Sequence, residues 1–416
     1  MFDKLYRMKS FKNTLRVLSF LLCTVPVLLN AQSEFRAHAY TDLWRGLRTD
    51  TLFPSGILGY EKNISIFTPQ DFRKLPGEQY PLIIMFDRQG LELTNFLIHS
   101  VDVLETTGQI PRMVAVSIES GGLPGDRTRE AKWSIDGGDA YGEKFDEFVF
   151  SELVPYMIDH YSIDRNQIIV YGHSWFGYHS SMILVKHIPD LFAVISASPC
   201  CLSTERIDEI VQAVKNTANR NRKFFFRVAS GHDIGDNLDV YRELTGKISM
   251  LRLPEMFDYK PTWYYAAMHF EVPLLLFLQS LYEIYAVWAD LAFAYSDPQN
   301  NPTYNDVVLY DSLQQQCDKF YGFRIPFSDR HIEWRSEYYR FVRNEKVTFE
   351  GRVATWKFMV SKYGAGPEAY YNIASNYYLL HQADSAKVYL DRLLSLQLTE
   401  DWKQKAKELT EEMTGH

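Results

Sequence analysis

The sequence predicts an α/β fold in which a mainly parallel, doubly wound sheet is followed by a small all-α domain. Short apolar runs rich in β-branched residues alternate with segments that are apolar at helical spacing, up to about residue 290. Beyond residue 295 the strand signals stop and only helical patterns remain. Polar residues follow the ends of several predicted strands, and function collects at the carboxyl edge of such a sheet.

The N-terminal residues 1–31 predict a signal peptide, so the folded chain is expected to begin at residue 32. Basic residues precede an apolar run from Val17 to Leu29, which Pro26 interrupts and which is too short to span a membrane. We therefore expect a periplasmic or secreted protein with no membrane span after cleavage. The formal net charge of −8 becomes more negative once this basic leader is removed, and no basic surface remains to bind nucleic acid.

Three cysteines remain after the predicted cleavage, namely Cys200, Cys201 and Cys317. Adjacent cysteines bond to each other only with strain, so at most one long-range disulfide is expected, with one thiol left over. The sequence contains no metal-ligand spacing, and no cofactor is expected.

The predicted first domain covers residues 32–294. Its strands are predicted at 60–68, 81–86, 113–118, 168–171, 191–197 and 223–229. Its helices are predicted at 93–107, 141–161, 178–186 and 272–288. Because strands alternate with helices along the chain, we expect the strands to pair in parallel with helices on both faces.

A strand, a sharp turn and a helix meet at Ser174. The apolar run 168–171 ends abruptly in Gly172-His173-Ser174, and residues 178–186 are apolar at helical spacing. This is the geometry of a nucleophile elbow, which exposes a serine hydroxyl beside the N-terminus of the helix. The alternative is that Ser174 only caps an ordinary strand-to-helix loop.

The elbow departs from the usual G-x-S-x-G pattern. Phe176 stands where the second glycine is expected, and Gly177 follows one residue later. The elbow glycines keep side chains away from a tight backbone crossing, so a bulky residue at this position is an objection to the interpretation.

A serine nucleophile needs a histidine base and an acid that holds the imidazole. Asp233 follows the strand predicted at 223–229, and His269 lies directly before the predicted helix 272–288. The chain order of Ser174, Asp233 and His269 fits a nucleophile–acid–base triad.

The neighbouring acidic and histidine residues leave alternatives open. Asp236 and Asp239 are substitute acids, and His232 and His173 are weaker candidates for the base. Asp233 is also a plausible turn residue, and His269 a residue that merely precedes a helix.

Several stretches of residues 55–290 together resemble the Putative esterase family of α/β-hydrolases. They are Tyr80–Asp87, Val114–Ile118 with the arginine-containing loop after it, Gly172-His173-Ser174, Asp190–Phe192, Ser196–Pro199, Gly231-His232-Asp233 and His269. The family contains feruloyl and acetylxylan-type carbohydrate esterases, S-formylglutathione hydrolases, siderophore trilactone esterases and mycolyltransferases.

The resemblance implies a role for each matching residue. Ser174 would be the nucleophile, Asp233 the acid and His269 the base, and the reaction would pass through an acyl-enzyme. The backbone N–H groups of Trp175 and of Gln89, in the loop after the strand 81–86, would hold the oxyanion. Family members usually have Asp-Gly after this strand, whereas this chain has Asp87-Arg88, and this departure bears on the donor geometry.

Aromatic side chains near the predicted triad are candidates for contact with an acyl group or a sugar. They are Trp133, Trp263 and Tyr264, with Trp175 and Tyr265 beside them. Core packing is the alternative explanation of such aromatic clusters.

The region 295–416 predicts a separate helical domain. A Pro- and Asn-rich segment at 297–302 indicates a linker, and residues 369–396 have the spacing of small and large residues of a tetratricopeptide unit. One or two such units cannot form a long solenoid, so we expect a small helical domain that packs against the first domain or contacts a protein partner.

Two classes of function follow from the sequence. The first is a secreted serine carboxylesterase that acts on a carbohydrate-linked ester or a siderophore-like lactone, with no cofactor. An acyltransferase would use the same residues. The second class is a non-catalytic scaffold in which the hydrolase-like domain and the helical region bind a partner.

Overall fold

The computed structural model describes residues 45–70, 72–73, 77–86, 91–120, 127–133, 141–217, 220–233, 236–296, 306–341, 349–364 and 366–414. The predicted signal peptide and the predicted linker at 297–302 lie outside these residues.

In the described residues, eight strands form one sheet. They are β1 (Leu47–Pro54), β2 (Glu61–Thr68), β3 (Tyr80–Phe86), β4 (Val114–Ile118), β5 (Ile163–His173), β6 (Ala193–Ala197), β7 (Phe224–His232) and β8 (Phe257–Met268). Their order across the sheet is β1-β2-β4-β3-β5-β6-β7-β8. The β1–β2 and β2–β4 pairs are antiparallel, and all pairs from β4 to β8 are parallel. The predicted mainly parallel sheet is therefore confirmed.

The sequence did not predict the two edge strands, β1 and β8. The central strands β3, β4 and β6 are buried at every residue, and such strands read as continuous apolar runs. In β1 no residue is fully buried, and in β8 only two of twelve residues are buried. Partly solvated edge strands lack the apolar run that marks the central ones.

Helices cover the sheet and form the C-terminal region. In the first part of the chain they are α1 (Leu91–Thr106), α2 (Arg127–Ala131), α3 (Gly142–Phe148), α4 (Val154–Tyr161), α5 (Trp175–His187), α6 (Thr204–Lys215), α7 (Asp236–Ser249), α8 (Val272–Ile284) and α9 (Ala286–Ser296). In the C-terminal part they are α10 (Asp306–Tyr321), α11 (Asp329–Phe341), α12 (Phe349–Tyr363), α13 (Pro367–Leu379), α14 (Ala383–Leu394) and α15 (Glu400–Thr414).

Two of the predicted helices are interrupted. A π-helical turn at Val149–Leu153 separates α3 from α4, and the predicted helix 272–288 is the bent pair α8 and α9, whose axes differ by 55°. None of the described helices is long and apolar enough by itself to cross a membrane, and α8 with α9 meets that criterion only as a bent pair.

The C-terminal helices pack against the amino ends of the sheet strands. The backbone N–H of Lys223, just before β7, donates to the carbonyl of Tyr321 in α10 at 2.8 Å. The Phe192 ring, just before β6, contacts Tyr321 with ring centroids 5.9 Å apart. Because parallel strands share one direction, this edge lies opposite the carboxyl ends of β5 to β7, where the candidate site is expected.

A buried ion pair strengthens the same junction. Arg112, two residues before β4, lies 2.8 Å from Asp329 in α11, and both side chains are buried. Arg112 also donates to Glu78, before β3, at 2.9 Å. If the C-terminal helices moved away from the sheet, a buried charge would lose its partner, which is strongly unfavourable. These contacts therefore hold the C-terminal helices against the sheet.

Helices α13 and α14 form a hairpin over the segment in which the sequence analysis predicted a tetratricopeptide unit. Five of the residues that define the pattern are buried, namely Ile373, Ala374, Ala386, Leu390 and Leu393. Ala374, Leu390 and Leu393 share a small apolar cluster with Ala406 and Leu409 of α15. The repeat identity of this hairpin stays a prediction.

Glu105, at the end of α1, gives a testable dependence of stability on pH. It is fully buried and accepts from the backbone N–H of Met113 at 2.7 Å, and burial raises its pKa from 4.5 to about 8. Between these pH values the folded protein keeps the proton and the unfolded chain has lost it, so stability falls as the pH rises.

We expect Glu105→Gln to remove this loss, because the amide keeps an acceptor for Met113 and cannot ionise. Above pH 8 the variant should be more stable than the wild type by on the order of a few kcal/mol. Urea unfolding between pH 4.5 and pH 9 measures this difference. Glu147→Gln, an exposed residue of α3, should leave the wild-type slope unchanged. Parallel curves for wild type and Glu105→Gln would contradict the prediction.

Candidate active site

Ser174 lies at the turn between β5 and α5 with backbone angles φ 61° and ψ −118°. Positive φ is rare for residues other than glycine, so the turn holds this serine in a strained conformation. Its backbone N–H donates to the carbonyl of Ala197 at the end of β6, at 2.9 Å. The predicted elbow geometry is therefore present, and α5 begins at the next residue.

Gly172, near the end of β5, lies so close to the backbone of the first turn of α5 that only glycine fits there. A Cβ at this position would lie 1.9 Å from the carbonyl oxygen of Phe176, far inside van der Waals contact. The first of the two expected elbow glycines thus has a steric reason.

The departure at Phe176 is explained by Gly177. A Cβ on Gly177 would lie 2.6 Å from the carbonyl oxygen of Ala197, so this glycine makes the second close approach. The Phe176 side chain points away from that crossing and is fully buried, with its ring 5.7 Å from Phe145 and 6.1 Å from Phe86. The objection to the elbow therefore does not hold, because the small residue stands one position later.

Asp233 and His269 are in direct contact. Nδ1 of His269 lies 3.0 and 2.9 Å from the two carboxylate oxygens of Asp233. The Asp233 side chain is 1% exposed and that of His269 is 19% exposed. Such a contact orients the imidazole and leaves Nε2 to exchange a proton with a nucleophile.

A break in the pairing of β7 and β8 brings these two residues together. Gly231 pairs with Tyr264, whereas the next residue, His232, pairs with Met268. A Cβ on Gly231 would lie 2.2 Å from the carbonyl oxygen of Ala267, so only glycine permits this approach. The extra residues of β8 carry His269 back across the end of β7 to Asp233.

His173 supports the loop that carries His269. Its Nε2 donates to the backbone carbonyl of His269 at 2.9 Å, and the two rings lie 4.5 Å apart. Burial, together with the neighbouring His269, lowers the pKa of His173 to about 3, so this imidazole is neutral at physiological pH. The sequence analysis treated His173 as a weaker candidate for the base. In the structure its imidazole instead donates a hydrogen bond to the backbone of His269, the candidate base.

Within the part of the chain described above, the structure places no hydrogen bond between Ser174 and His269. Catalytic hydrogen bonds are often long in the absence of substrate and shorten when it binds. The structure thus joins two members of the predicted triad directly and sets the third at the adjacent elbow.

The alternative acid and base residues have other environments. The Asp239 side chain is 79% exposed and lies 3.5 Å from Arg242 on the surface of α7. His232 is exposed and its ring lies 5.8 Å from Tyr265. The side chain of Asp236 lies outside the described residues. Neither Asp239 nor His232 approaches the elbow as Asp233 and His269 do.

The two predicted oxyanion donors differ in what the structure describes. Trp175 is the first residue of α5, and the N–H groups of a first turn have no acceptor within their helix. The Trp175 N–H therefore has no acceptor within its helix, which the predicted role of oxyanion donor requires. Gln89, with Arg88, lies outside the described residues.

The three aromatic residues predicted to contact substrate lie in different places. Trp133 is buried in the core, where its Nε1 lies 3.3 Å from Nδ1 of His179, which favours the packing alternative. Tyr264 is half-buried and donates to Gln279 of α8 at 2.6 Å. Trp263 is 45% exposed and lies beneath the guanidinium of Arg242 at 5.6 Å.

The exposed ring of Phe270 lies directly beside His269, and the sequence did not predict this residue as a substrate contact. Phe270 follows His269 in the chain and is 70% exposed, and Tyr265 of β8 is 78% exposed. The Phe270 ring lies 5.3 Å from the His269 ring. A weak signal existed in the sequence, since Phe270 adjoins the predicted base.

A model of the Putative esterase family matches residues 55–264, which is half of the chain. A search of curated proteins gives no match. Among solved structures, an uncharacterised protein from Capnocytophaga ochracea shares 17% identity and a TM-score of 0.54, covering 88% of this chain and 99% of that chain. An IroE-like serine hydrolase from Shewanella oneidensis shares 14% identity and a TM-score of 0.57, covering 75% of this chain and 99% of that chain.

These structural similarities establish the fold. The sheet, the elbow and the helices on both faces are those of an α/β-hydrolase. The match to the Capnocytophaga ochracea protein covers more residues than the chain has before residue 297, so the similarity includes C-terminal helices. The family match adds the activity in general terms, which is the hydrolysis of esters. The chain belongs to the Putative esterase family.

Proposed function

We propose that the protein is a serine carboxylesterase that works through an acyl-enzyme formed on Ser174. The observation that carries this proposal is the Asp233–His269 pair at the same sheet edge as a serine in the strained conformation of an elbow. A strained, preorganised nucleophile beside an oriented imidazole is the arrangement that acyl transfer requires.

The first half of the proposed reaction forms the ester. Nε2 of His269 takes the proton as Ser174 Oγ attacks the substrate carbonyl carbon, and Asp233 stabilises the imidazolium. The oxyanion accepts from the N–H of Trp175 and from a second donor in the loop after β3. His269 then gives its proton to the leaving alcohol, and the acyl group stays on Ser174.

The second half releases the acid. Water enters in place of the alcohol, His269 accepts its proton, and the hydroxide oxygen attacks the acyl carbon. The proton returns to Ser174 as the carboxylic acid leaves, so the enzyme is regenerated without a cofactor.

The surroundings of His269 support a substrate with a flat ring or an extended apolar surface. The exposed ring of Phe270 lies 5.3 Å from the imidazole of the base, and an exposed aromatic surface contacts sugar or aryl rings well. We propose carbohydrate-linked acyl or feruloyl esters and siderophore-like lactones as the classes to test. The predicted signal peptide supports export to the periplasm or the medium.

Labelling with a fluorophosphonate probe tests the proposal, because the probe reacts with activated serines. We expect labelling at Ser174 and turnover of p-nitrophenyl acetate in the wild type, and neither in Ser174→Ala. The replacement removes the nucleophile and should lower kcat by about 10⁶-fold. Circular dichroism of both proteins is the control for folding. A folded wild type that takes up no label would overturn the esterase mechanism.

A further inference from the structure

The candidate base lies in a tight turn of four residues, 268–271, which joins the end of β8 to the start of α8. The backbone N–H of Glu271 donates to the carbonyl of Met268 at 3.1 Å, and this hydrogen bond closes the turn. His269 is the second residue of the turn and Phe270 the third. The position of the His269 imidazole therefore depends on how firmly the turn is held.

The side chain of Glu271 makes a second contact across the same turn. Its Oε2 accepts from the backbone N–H of Met268 at 2.9 Å. Met268 is thus held through its carbonyl by the Glu271 backbone and through its N–H by the Glu271 carboxylate. Within the described part of the chain, this is the only hydrogen bond that the carboxylate makes. The carboxylate therefore serves the turn that carries His269.

Glu271 is the N-cap residue of α8, yet its side chain does not cap the helix. An N-cap side chain ordinarily accepts from the N–H of the second or third helical residue. In α8 the second helical residue is Pro273, which has no N–H, and Glu271 makes no capping hydrogen bond. Its side chain turns back to Met268 instead. A residue that departs from a local rule in this way is expected at a functional position.

Two other contacts fix the base itself. Asp233 holds the ring of His269 through Nδ1, at 2.9 and 3.0 Å. Nε2 of His173, the residue before the elbow serine, donates to the His269 carbonyl at 2.9 Å. Glu271 adds a third contact, on the residue that precedes the base. The ring, the carbonyl and the preceding backbone of His269 are therefore each held by a different side chain.

We propose that Glu271 is a positioning residue for the base. The inference rests on the proposed function, since it concerns the orientation of the imidazole that the proposed mechanism uses. The Glu271 carboxylate acts through the Met268 backbone. It holds the turn so that Nδ1 of His269 meets Asp233 and Nε2 is left for proton transfer with Ser174.

Glu271 is exposed, which separates its effect on activity from its effect on folding. A hydrogen bond of an exposed carboxylate competes with water and contributes little to the free energy of unfolding. Catalysis is more sensitive, because displacing a reacting group by about 1 Å costs about 100-fold in rate. Loss of this contact should therefore lower kcat while the protein stays folded.

Two variants of Glu271 in the full-length protein give the main test, with p-nitrophenyl acetate turnover as the readout. Glu271→Ala removes the acceptor for the Met268 N–H, and we expect kcat to fall by about 10-fold to 100-fold. Glu271→Gln keeps an acceptor oxygen at the same distance along the side chain and should retain kcat within about threefold. Glu147→Ala, at an exposed position of α3, is the matched control and should leave kcat unchanged.

The His269→Ala background shows whether Glu271 acts through the base. If it does, Glu271→Ala should have no further effect on the residual kcat in that background, because the residue that it positions is gone. A role in general packing would lower kcat by the same factor in both backgrounds. Circular dichroism and urea unfolding of every variant report the folded state.

Three results would overturn the inference in a wild type that takes up the fluorophosphonate label. They are wild-type turnover by Glu271→Ala, an equal loss in the His269→Ala background, and a folded Glu271→Gln protein as slow as Glu271→Ala. A folded wild type that takes up no label would overturn the esterase mechanism and the role of Glu271 with it. Because the label reports the wild type alone, the two failures are distinguishable.

Discussion

Replacing His269 with alanine is expected to lower kcat for p-nitrophenyl acetate by about 10⁴-fold to 10⁶-fold. The hydroxyl of serine is a weak nucleophile until a base removes its proton, and in the proposed mechanism His269 is that base. Its Nδ1 is held by both oxygens of Asp233, at 3.0 and 2.9 Å, so Nε2 is the nitrogen that faces the reaction. Losing the ring removes proton transfer in both halves of the reaction.

His232 is the matched control for this prediction, because it is a histidine next to the same acid in sequence. It is exposed, and the structure places its ring beside Tyr265. We expect His232→Ala to retain kcat within a factor of about two, as surface substitutions usually do. Steady-state kinetics of both variants at the same pH decides between the two histidines. A loss of similar size in both would mean that His269 is not the specific base.

How far the sequence predicts this site depends on whether a contact is local. The elbow is local, since the apolar strand, the Gly172-His173-Ser174 turn and the helix lie within twenty residues. The order of Asp233 and His269 along the chain also predicted that the two residues lie near each other, because parallel strands bring their carboxyl ends to one edge. The buried central strands were also predictable, because each is a continuous apolar run within a few residues of sequence.

Contacts that depend on the return path of the chain were not predictable. His173 donates to the backbone of His269, 96 residues away, and only the break in the β7–β8 pairing brings that backbone over the elbow. Trp133 was assigned to the substrate pocket because aromatic residues in core and pocket have the same sequence signal.

Gly172 offers the second large effect, on folding rather than on chemistry. Gly172→Ala is expected to destabilise the protein by about 3 kcal/mol or more, because its Cβ would overlap backbone atoms that cannot rotate away. The ideal Cβ lies 1.9 Å from the Phe176 carbonyl oxygen and 2.5 Å from its carbonyl carbon. Relief requires β5 and the first turn of α5 to separate, which would also displace Ser174 from the elbow.

Gly246 is the matched control, since it lies within helix α7 and a Cβ there meets nothing within 4 Å. Gly246→Ala should stabilise the protein by about 0.5–1 kcal/mol, because alanine loses less backbone entropy in a helix. Urea unfolding of the two variants compares the same chemical change in two surroundings. A Gly172→Ala protein as stable as Gly246→Ala would show that the elbow can relax without cost. In that case the strain at Ser174, with its φ of 61°, would not be imposed by the crossing of β5 and α5.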